Sequence, residues 1–303
     1  MSLRHATLRQ LRVFDALARH MSVVRTAEAL HLTPPAVSIQ VRQLSEHIGV
    51  PLTEQVGKQL FLTPQGEIVA TACRDLIDRI ERLDQELASL QGLERGSLSV
   101  AIITTASYFV PRLLGDFYAE HPGINVSIFV GNRETILGRL ERNEDDLYIL
   151  GQPPDSGRIT ALPFAPNRLI AVTSPDDPLA SQSGIAPAQL AREPFIAREQ
   201  GSGTRIAAEE FFRQCNVPLR IRLELGSNEA VKQSIAGHLG FSILSESTVR
   251  KELASGELVA LDVVGLPLQR QWYAAHLKDK RLSRAAQACL DFLGKRLTVQ
   301  GAG

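Results

Sequence analysis

The chain has 303 residues, which is too many for one ordinary hydrophobic core and enough for two or three domains. Lys plus Arg and Asp plus Glu number 33 each, so the global charge indicates nothing about a nucleic-acid partner. No run of about 18 apolar residues is present, and the first residues contain no apolar stretch, so neither a membrane span nor a signal peptide is expected and we expect a cytoplasmic protein.

Residues 7–49 carry the signals of three short helices. Residues 7–20 place apolar side chains on one helical face, and Ser22 is a suitable N-cap for a second helix. Thr33 is a suitable N-cap for a third helix, which ends at Gly49. Two helices joined by a tight turn are typical of a helix-turn-helix, whose second helix lies in the major groove of DNA. The pattern alone equally allows three ordinary packed helices.

A β-hairpin is predicted directly after the third helix. Leu52, a Gly57-Lys58 turn and the apolar run 60–62 indicate two short strands, which would form the wing of a winged helix-turn-helix. The tip of this wing would place Lys58 near a DNA phosphate.

The whole string AEALHLTPPAVSIQVRQLSEHIGVPL, followed by LTPQG, closely resembles the DNA-binding head of LysR-type transcriptional regulators. The resemblance covers residues 7–66 without a gap and implies binding to double-stranded DNA. Pro34 stands where the family often has a base-reading Gln, and Ile39 and Thr53 also depart from the usual residues, so the details of sequence readout stay open. The DNA-contact residues that the resemblance implies are Thr33, Pro34, Pro35, Ala36, Ser38, Ile39, Gln40, Arg42, Lys58 and Thr63.

A heptad pattern runs from Gly66 to Gly92, with apolar residues spaced alternately by four and three. Such a narrow seam favours a helix paired with a second copy, because a helix packed on a domain core usually shows a wider stripe. In LysR-type proteins the corresponding helix forms the dimer. The predicted dimer contacts are Val69, Cys73, Leu76, Ile80, Leu83, Leu87 and Leu90.

The spacing of the cysteines indicates structural roles rather than redox or metal-binding roles. The three cysteines, Cys73, Cys215 and Cys289, lie far apart, so the sequence predicts no disulfide framework and no metal site, and we expect reduced thiols. Cys73 is expected to act as a small buried apolar residue.

After Gly96, strand patterns alternate with helix patterns, which predicts doubly wound α/β layers. The predicted strands are 97–103, 125–131, 146–151, 169–174, 194–198, 221–225, 241–244, 258–261 and 272–276. The predicted helices are 110–121, 133–143, 204–215, 228–237 and 283–297.

Ligands of such sheets bind beyond the carboxyl ends of strands, near helix N-termini. The loop 198–205 contains Gly-Ser-Gly-Thr between two arginines and runs into a helix, so it is a candidate anion nest, although it is also readable as a simple Gly-rich connection. The candidate effector-binding residues are Thr104, Thr105, Ala106, Ser107, Asn132, Arg133, Glu134, Gln152, Arg198, Gly201, Ser202, Gly203, Thr204, Arg205 and Asn228.

The body resembles the effector domain of LysR-type regulators, which is built like a periplasmic solute-binding protein. The resemblance implies a winged helix-turn-helix at 1–65, a linker helix at 66–95 and an effector domain at 96–303. The effector domain would comprise lobe I, residues 96–163 and 268–303, and lobe II, residues 164–267.

Several strings, among them LERGSLSVAIITTASYFVPRLL, FVGNRETIL, REQGSGTR and LELGSNEAVKQSI, narrow the resemblance to regulators of carbon-fixation (Rubisco) operons. This branch implies no bound cofactor, an anionic effector such as a phosphorylated metabolite or NADPH, RNA polymerase as a partner, and a homo-oligomer, with a tetramer expected. Ser107 and Gln152 stand where basic residues are expected, so recognition of a doubly phosphorylated ligand should be weakened. Arg133, Arg198 and Arg205 are the cations that remain.

The alternative functions are an enzyme, a solute-binding protein and a LysR-type regulator of another operon. An enzyme is not expected, because the chain has no G-x-S-x-G, H-E-x-x-H or G-x-x-x-x-G-K-[ST] motif. A solute-binding protein would not carry a DNA-binding head. A LysR-type regulator of another metabolic operon, with a different small-acid effector, stays open, but a peroxide sensor is disfavoured because lobe II contains only Cys215.

Overall fold

A computed structural model describes residues 5–57, 59–90 and 96–300. The chain divides into two compact units, residues 1–93 and 94–303. Lys58, the predicted wing tip, lies outside the described residues. Among the described helices, none has both the length and the apolar character needed to cross a bilayer.

The first unit is a winged helix-turn-helix followed by a long helix, as the sequence predicts. Its elements are α1 (Leu8–His20), α2 (Val23–Ala29), α3 (Pro34–Ile48), β1 (Thr53–Val56), β2 (Gln59–Leu62) and α4 (Pro64–Leu90). Side-chain oxygens of Thr7, Ser22 and Thr33 cap the first three helices, each accepting a backbone N–H three residues later. Gly49 ends α3 in the left-handed conformation, with φ 84°.

The core of this unit includes the first part of α4. Phe14 and Leu17 of α1, Leu44 of α3 and Leu52 pack together with Cys73 of α4 in one buried cluster. The head and the start of the linker helix are therefore a single folded body.

A buried ion pair adds to this joint. Arg74 of α4 lies 3.2 Å from Asp15 of α1, and both side chains are almost fully buried. Arg19 approaches the other carboxylate oxygen of Asp15 at 2.8 Å. Asp15 therefore links α1 to the linker helix.

The second unit contains strands and helices in alternation. The strands are β3 (Gly96–Ile103), β4 (Ile124–Gly131), β5 (Leu147–Leu150), β6 (Ile159–Thr173), β7 (Phe195–Arg198), β8 (Ile221–Leu225), β9 (Ser242–Ser245), β10 (Val259–Ala260) and β11 (Leu268–Leu277). The helices are α5 (Val110–Glu120), α6 (Arg133–Glu141), α7 (Pro187–Leu190), α8 (Gly203–Gln214), α9 (Asn228–Ala236), α10 (Glu246–Ser255) and α11 (Arg284–Gln300). Two 3₁₀ turns occupy Thr104–Tyr108 and Pro178–Ser181.

One sheet with the order β10-β6-β11-β5-β3-β4 runs through the unit, with β9 also paired to β6. Strands β4, β3 and β5 are parallel, and β11 is antiparallel to both β5 and β6. Strand β6 pairs with β11 over residues 159–169 and then with β9 and β10 over residues 169–173. It therefore passes from one lobe of the unit into the other.

Each lobe has a buried cluster on either face of its sheet, which confirms the doubly wound α/β prediction. The clusters of the first lobe surround Phe117 and Tyr148. Those of the second lobe surround Phe212 and Val231. The predicted strand 169–174 is the second half of β6, and helix α10 was not predicted.

Candidate nucleic-acid interface and ligand cleft

Helix α3 presents one face to solvent and buries the opposite face. Val37, Val41 and Leu44 are buried in the head, whereas the predicted DNA-contact positions lie on the other side. Those that are exposed or half-buried are Thr33, Pro34, Pro35, Ala36, Ser38, Ile39, Gln40 and Arg42. The surface is the one that a major groove would meet.

Two polar residues on this face differ in how firmly they are held. The Nε2 of Gln40 donates to the Oε1 of Gln43 at 3.4 Å, and the same oxygen accepts from Gln10 of α1 at 3.3 Å. Arg42 is 71 % exposed and lies 3.8 Å from Glu46, a weak surface contact. Arg42 therefore keeps its guanidinium available for a base or a phosphate.

Thr63 corrects one predicted DNA contact. Its side chain is buried, its Oγ1 donates to the carbonyl of Pro51 at 2.7 Å, and the same oxygen accepts the N–H of Gly66 at 3.0 Å. The hydroxyl therefore ties the start of α4 to the segment before the wing, and no hydrogen remains on it for a phosphate.

The predicted dimer seam of α4 is divided between two surroundings. Cys73 is 1 % exposed in the core of its own head, and Val69 packs half-buried against that core, so Cys73 is withdrawn as a dimer contact. Burial raises the pKa of the Cys73 thiol to about 12. Farther along, Leu76, Leu83 and Leu87 are exposed. Ile80 is half-buried, and the side chain of Leu90 lies outside the described part of the chain.

A narrow cleft lies in the second unit, beside the strands that pass between the lobes. Its cavity holds about 30 Å³, room for about two water molecules. The lining residues are Ile103, Thr105, Arg133, Gly151, Gln152, Asn167, Leu169, Gly203, Thr204, Arg270 and Trp272. The structure therefore brings together five of the predicted effector residues, which are Thr105, Arg133, Gln152, Gly203 and Thr204.

Two guanidinium groups meet at Gln152. Arg133 donates from Nη1 to the backbone oxygen of Gln152 at 2.6 Å, and Arg270 donates from Nη1 to its Oε1 at 2.5 Å. Among the described residues, neither arginine forms an ion pair within 4 Å. Burial lowers the pKa of Arg133. Both cleft arginines thus donate to neutral oxygens, and the carboxylate of Glu210 is close enough to feel the charge of Arg270 without forming an ion pair with it.

The N-terminus of α8 faces the same space. A Cβ added at Gly203 would lie 3.9 Å from the Cδ of Arg133, so the helix begins beside that arginine. Ser202 precedes the helix without a side-chain hydrogen bond to its first turn. Exposed amide groups at a helix N-terminus attract anions, so the helix adds to the positive potential of the cleft.

Arg198 departs from its predicted role. Its side chain is 2 % exposed and forms a bidentate ion pair with Glu199 at 2.7 and 2.9 Å. The same guanidinium donates to Thr104 at 3.3 Å and to Asn228. Arg198 is therefore a neutralised crosslink between the lobes and is withdrawn as a ligand cation.

Arg205 is likewise neutralised. It pairs with Glu209 at 2.7 Å and with Glu224 at 2.6 Å, and its Nη1 also donates to the carbonyl of Arg198 at 3.1 Å. These hydrogen bonds, first with Glu209 and then with Glu224, raise the pKa of Arg205. The guanidinium holds the 198–205 loop in place and is also withdrawn as a ligand cation.

Two family patterns cover nearly the whole chain. The bacterial regulatory helix-turn-helix protein, lysR family, matches residues 8–67, and the LysR substrate binding domain matches residues 91–298. The chain belongs to the LysR family of transcriptional regulators. It is accordingly a DNA-binding regulator, built of a helix-turn-helix and a LysR substrate-binding domain.

Individual LysR proteins resemble it closely. A RuBisCO operon transcriptional regulator of Acidithiobacillus ferrooxidans is 57 % identical over 293 residues, which are 97 % of this chain and 95 % of that protein. The CcmR regulatory domain of Synechocystis, solved in complex with 2-PG, is 48 % identical with a TM-score of 0.64, covering 66 % of this chain and 97 % of that one. Full-length OxyR of Pseudomonas aeruginosa, at 21 % identity, has a TM-score of 0.75 and covers 98 % and 96 %, which shows the shared fold.

The other predicted effector residues lie outside the lining of this LysR cleft. Ala106 is fully buried in the core of its lobe, which corrects its assignment, and Ser107 donates its hydroxyl to the carbonyl of Thr104 at 2.7 Å. Asn132 caps α6 by accepting the N–H of Thr135. Glu134 and Gly201 are exposed, Ser202 and Asn228 are buried, and Thr104 contacts Arg198.

Sequence reasoning missed Arg270, Asn167 and Trp272. All three belong to the strands β6 and β11, and Asn167 stands directly opposite Arg270 in their register. The available signal was the return of the chain near residue 268, because a strand that crosses between lobes lines the cleft between them.

Proposed function

We propose that this LysR regulator controls carbon-fixation genes and responds to a small anionic metabolite bound at Arg133 and Arg270. The observation that carries the effector proposal is the pair of cleft arginines beside the N-terminus of α8, with no carboxylate against either among the described residues. The relatives support the pathway and the ligand class, since one is named for the RuBisCO operon and another was solved with 2-PG. We propose a short phosphorylated acid rather than NADPH, because two neighbouring cations match the charge of one phosphate group.

Ligand binding requires the cleft to open. A cavity of about 30 Å³ does not admit a metabolite, so contacts between the lobes must change. Two such contacts are the hydrogen bond from Arg198 to Thr104 and the position of the Lys232 ammonium 5.1 Å above the ring of Tyr108. A ligand shifts the equilibrium between open and closed arrangements by its different affinity for each. The lobe angle would then pass the signal to the DNA-binding heads.

We propose that the heads bind DNA as pairs. The residues proposed to contact DNA are those exposed on α3, with Lys58 retained from the sequence. Leu76, Leu83 and Leu87 leave an apolar stripe exposed on α4, and pairing of two linker helices would cover it. Pairing also matches two-fold half-sites one or more helical turns apart. We further propose that the protein is a cytoplasmic tetramer that recruits RNA polymerase and has no catalytic turnover.

Variants that affect one domain only can test the proposed domain division. The proposed domains are residues 1–65, 66–95 and 96–303, and the chain crosses between the lobes near residues 163 and 268. Arg42→Ala should lower affinity for the promoter of a Rubisco operon by about tenfold, since one charged contact is worth roughly 1–3 kcal/mol. Arg133→Ala should keep this affinity and lose the response to ligand.

The measurement is a footprint on that promoter with and without phosphoglycerate, phosphoenolpyruvate, 2-PG, ribulose bisphosphate or NADPH. A footprint that changes with one short phosphorylated acid supports the proposal. A footprint that changes with none of these compounds contradicts the proposal, and so does an Arg133→Ala protein that binds DNA as poorly as Arg42→Ala. The regulator would then control another operon or respond to another class of ligand.

A further inference from the structure

Gln152 accepts hydrogen bonds from both cleft arginines at the same time. Its peptide oxygen accepts from Arg133, and its side-chain oxygen accepts from Arg270. Building on the proposed anion site, we infer that the Gln152 carboxamide is an internal substitute for the ligand's oxygen, so that it competes with the ligand for Arg270 and sets the concentration at which the cleft responds.

The chemistry of the two acceptors favours exchange. A guanidinium binds carboxylate and phosphate oxygens more strongly than neutral amide oxygens, because the hydrogen bonds are then charge-assisted and bidentate. The amide of Gln152 satisfies Arg270 without neutralising it. An incoming anion therefore gains from displacing the carboxamide, whereas a carboxylate at this position would hold Arg270 in an ion pair.

The surroundings of Gln152 allow the side chain to move and hold its backbone. The residue is exposed, so its carboxamide has space to turn into solvent. Its peptide follows directly on β5 and Gly151, where an added Cβ would lie 3.2 Å from the Nδ2 of Asn167. Arg133 thus keeps its backbone acceptor, while Arg270 exchanges the Gln152 carboxamide for the ligand. The ligand therefore competes with Gln152 for Arg270 but not for Arg133.

The location of Arg270 makes the exchange relevant to the lobes. Arg270 lies on β11, opposite Asn167 of β6, and these are the strands that pass between the lobes. Along β11, Arg270 and Trp272 face the cleft, whereas Gln269 and Gln271 are exposed on the other side. Gln271 therefore provides a matched control, because it is a glutamine between Arg270 and Trp272 on the same strand whose side chain points away from the cleft.

The test compares wild type, Gln152→Ala, Gln152→Glu and Gln271→Ala as full-length proteins by titration calorimetry with 2-PG and with inorganic phosphate. Gln152→Ala should bind 2-PG about threefold to tenfold more tightly, because a hydrogen bond to a charged group is worth at least about tenfold when buried and less when exposed. Gln152→Glu should bind at least about tenfold more weakly. Gln271→Ala should match wild type.

Weaker binding by Gln152→Ala would overturn the inference, since it would make the carboxamide a direct ligand donor, and unchanged binding would overturn it as well. A second readout needs no ligand. Phenylglyoxal should modify Arg270 faster in Gln152→Ala than in wild type and more slowly in Gln152→Glu, as quantified by peptide mass spectrometry. Equal rates would refute the internal contact. Wild type that binds neither probe would reject the proposed effector site, while the modification rates would still decide the role of Gln152.

Discussion

Replacing Arg198 by Met should weaken the effector-binding unit without removing a ligand contact. The substitution keeps most of the side-chain volume and deletes the guanidinium, which joins Glu199, Thr104 and Asn228. Asn228 is 3 % exposed, so its carbonyl oxygen would lose its donor inside the protein. The Glu199 carboxylate is 21 % exposed and would turn partly to water.

The size of the effect follows from these exposures. An acceptor left unsatisfied in the interior costs about 1–3 kcal/mol, and removal of one partner from a fully buried ion pair costs about 3–5 kcal/mol. Because Glu199 is partly solvated, we expect a loss of about 3 kcal/mol in the free energy of unfolding. A unit of about 200 residues loses about 2–4 °C in Tm per kcal/mol, which gives a decrease of about 6–12 °C.

The assay is thermal unfolding followed by the fluorescence of Trp272, the single tryptophan of the chain, which lies buried in this unit. The matched control is Arg213→Met, because Arg213 forms an exposed pair with Glu210 that contributes at most about 1 kcal/mol. A Tm of Arg198→Met within about 2 °C of the control would refute the crosslink and return Arg198 to the role of ligand cation.

Two further predictions concern thiols and backbone contact. Iodoacetamide at about pH 8 should alkylate Cys215 and leave Cys73 and Cys289 unmodified. The reason is that burial raises the pKa of the Cys73 and Cys289 thiols to about 12. Mass spectrometry that finds Cys73 or Cys289 labelled in the folded protein would contradict this prediction. Gly66→Ala should abolish the gel shift of promoter DNA, because the new Cβ would lie 2.0 Å from the carbonyl oxygen of Leu52. In the control variant Gly115→Ala the new Cβ meets open space, so the gel shift should be preserved. Equal shifts from both variants would argue against the contact.

Local signals predicted the head well. The caps at Ser22, Thr33 and Gly49 depend on hydrogen bonds within a few residues, so their chemistry is visible in the sequence itself. The heptad of α4 was ambiguous for a physical reason. An apolar stripe shows that a helix face is covered, but it does not show by what, and Cys73 is covered by its own head.

Charge pairing in the cleft depends on distant parts of the chain. Arg205 is neutralised by Glu224, and Arg270 reaches Gln152 across 118 positions. The sequence therefore predicted a cationic cleft and named Arg133 correctly, but it also named the neutralised Arg198 and Arg205 and missed Arg270. The first half of β6 was missed because Pro163 and Pro166 interrupt its pattern, and proline usually argues against a strand.

The path of β6 and β11 has a consequence for the order in which the protein forms during synthesis. The first lobe begins with β3 but is completed only by β11 and α11, whose Leu290 and Leu293 fill its core. Domains generally fold as units while the chain emerges from the ribosome. The head has all its strands and helices first, the second lobe follows, and the first lobe is complete only after β11 and α11 have been synthesised. Nonsense mutations in the codons of β11 or α11 should therefore yield a protein with an intact head and an incomplete first lobe.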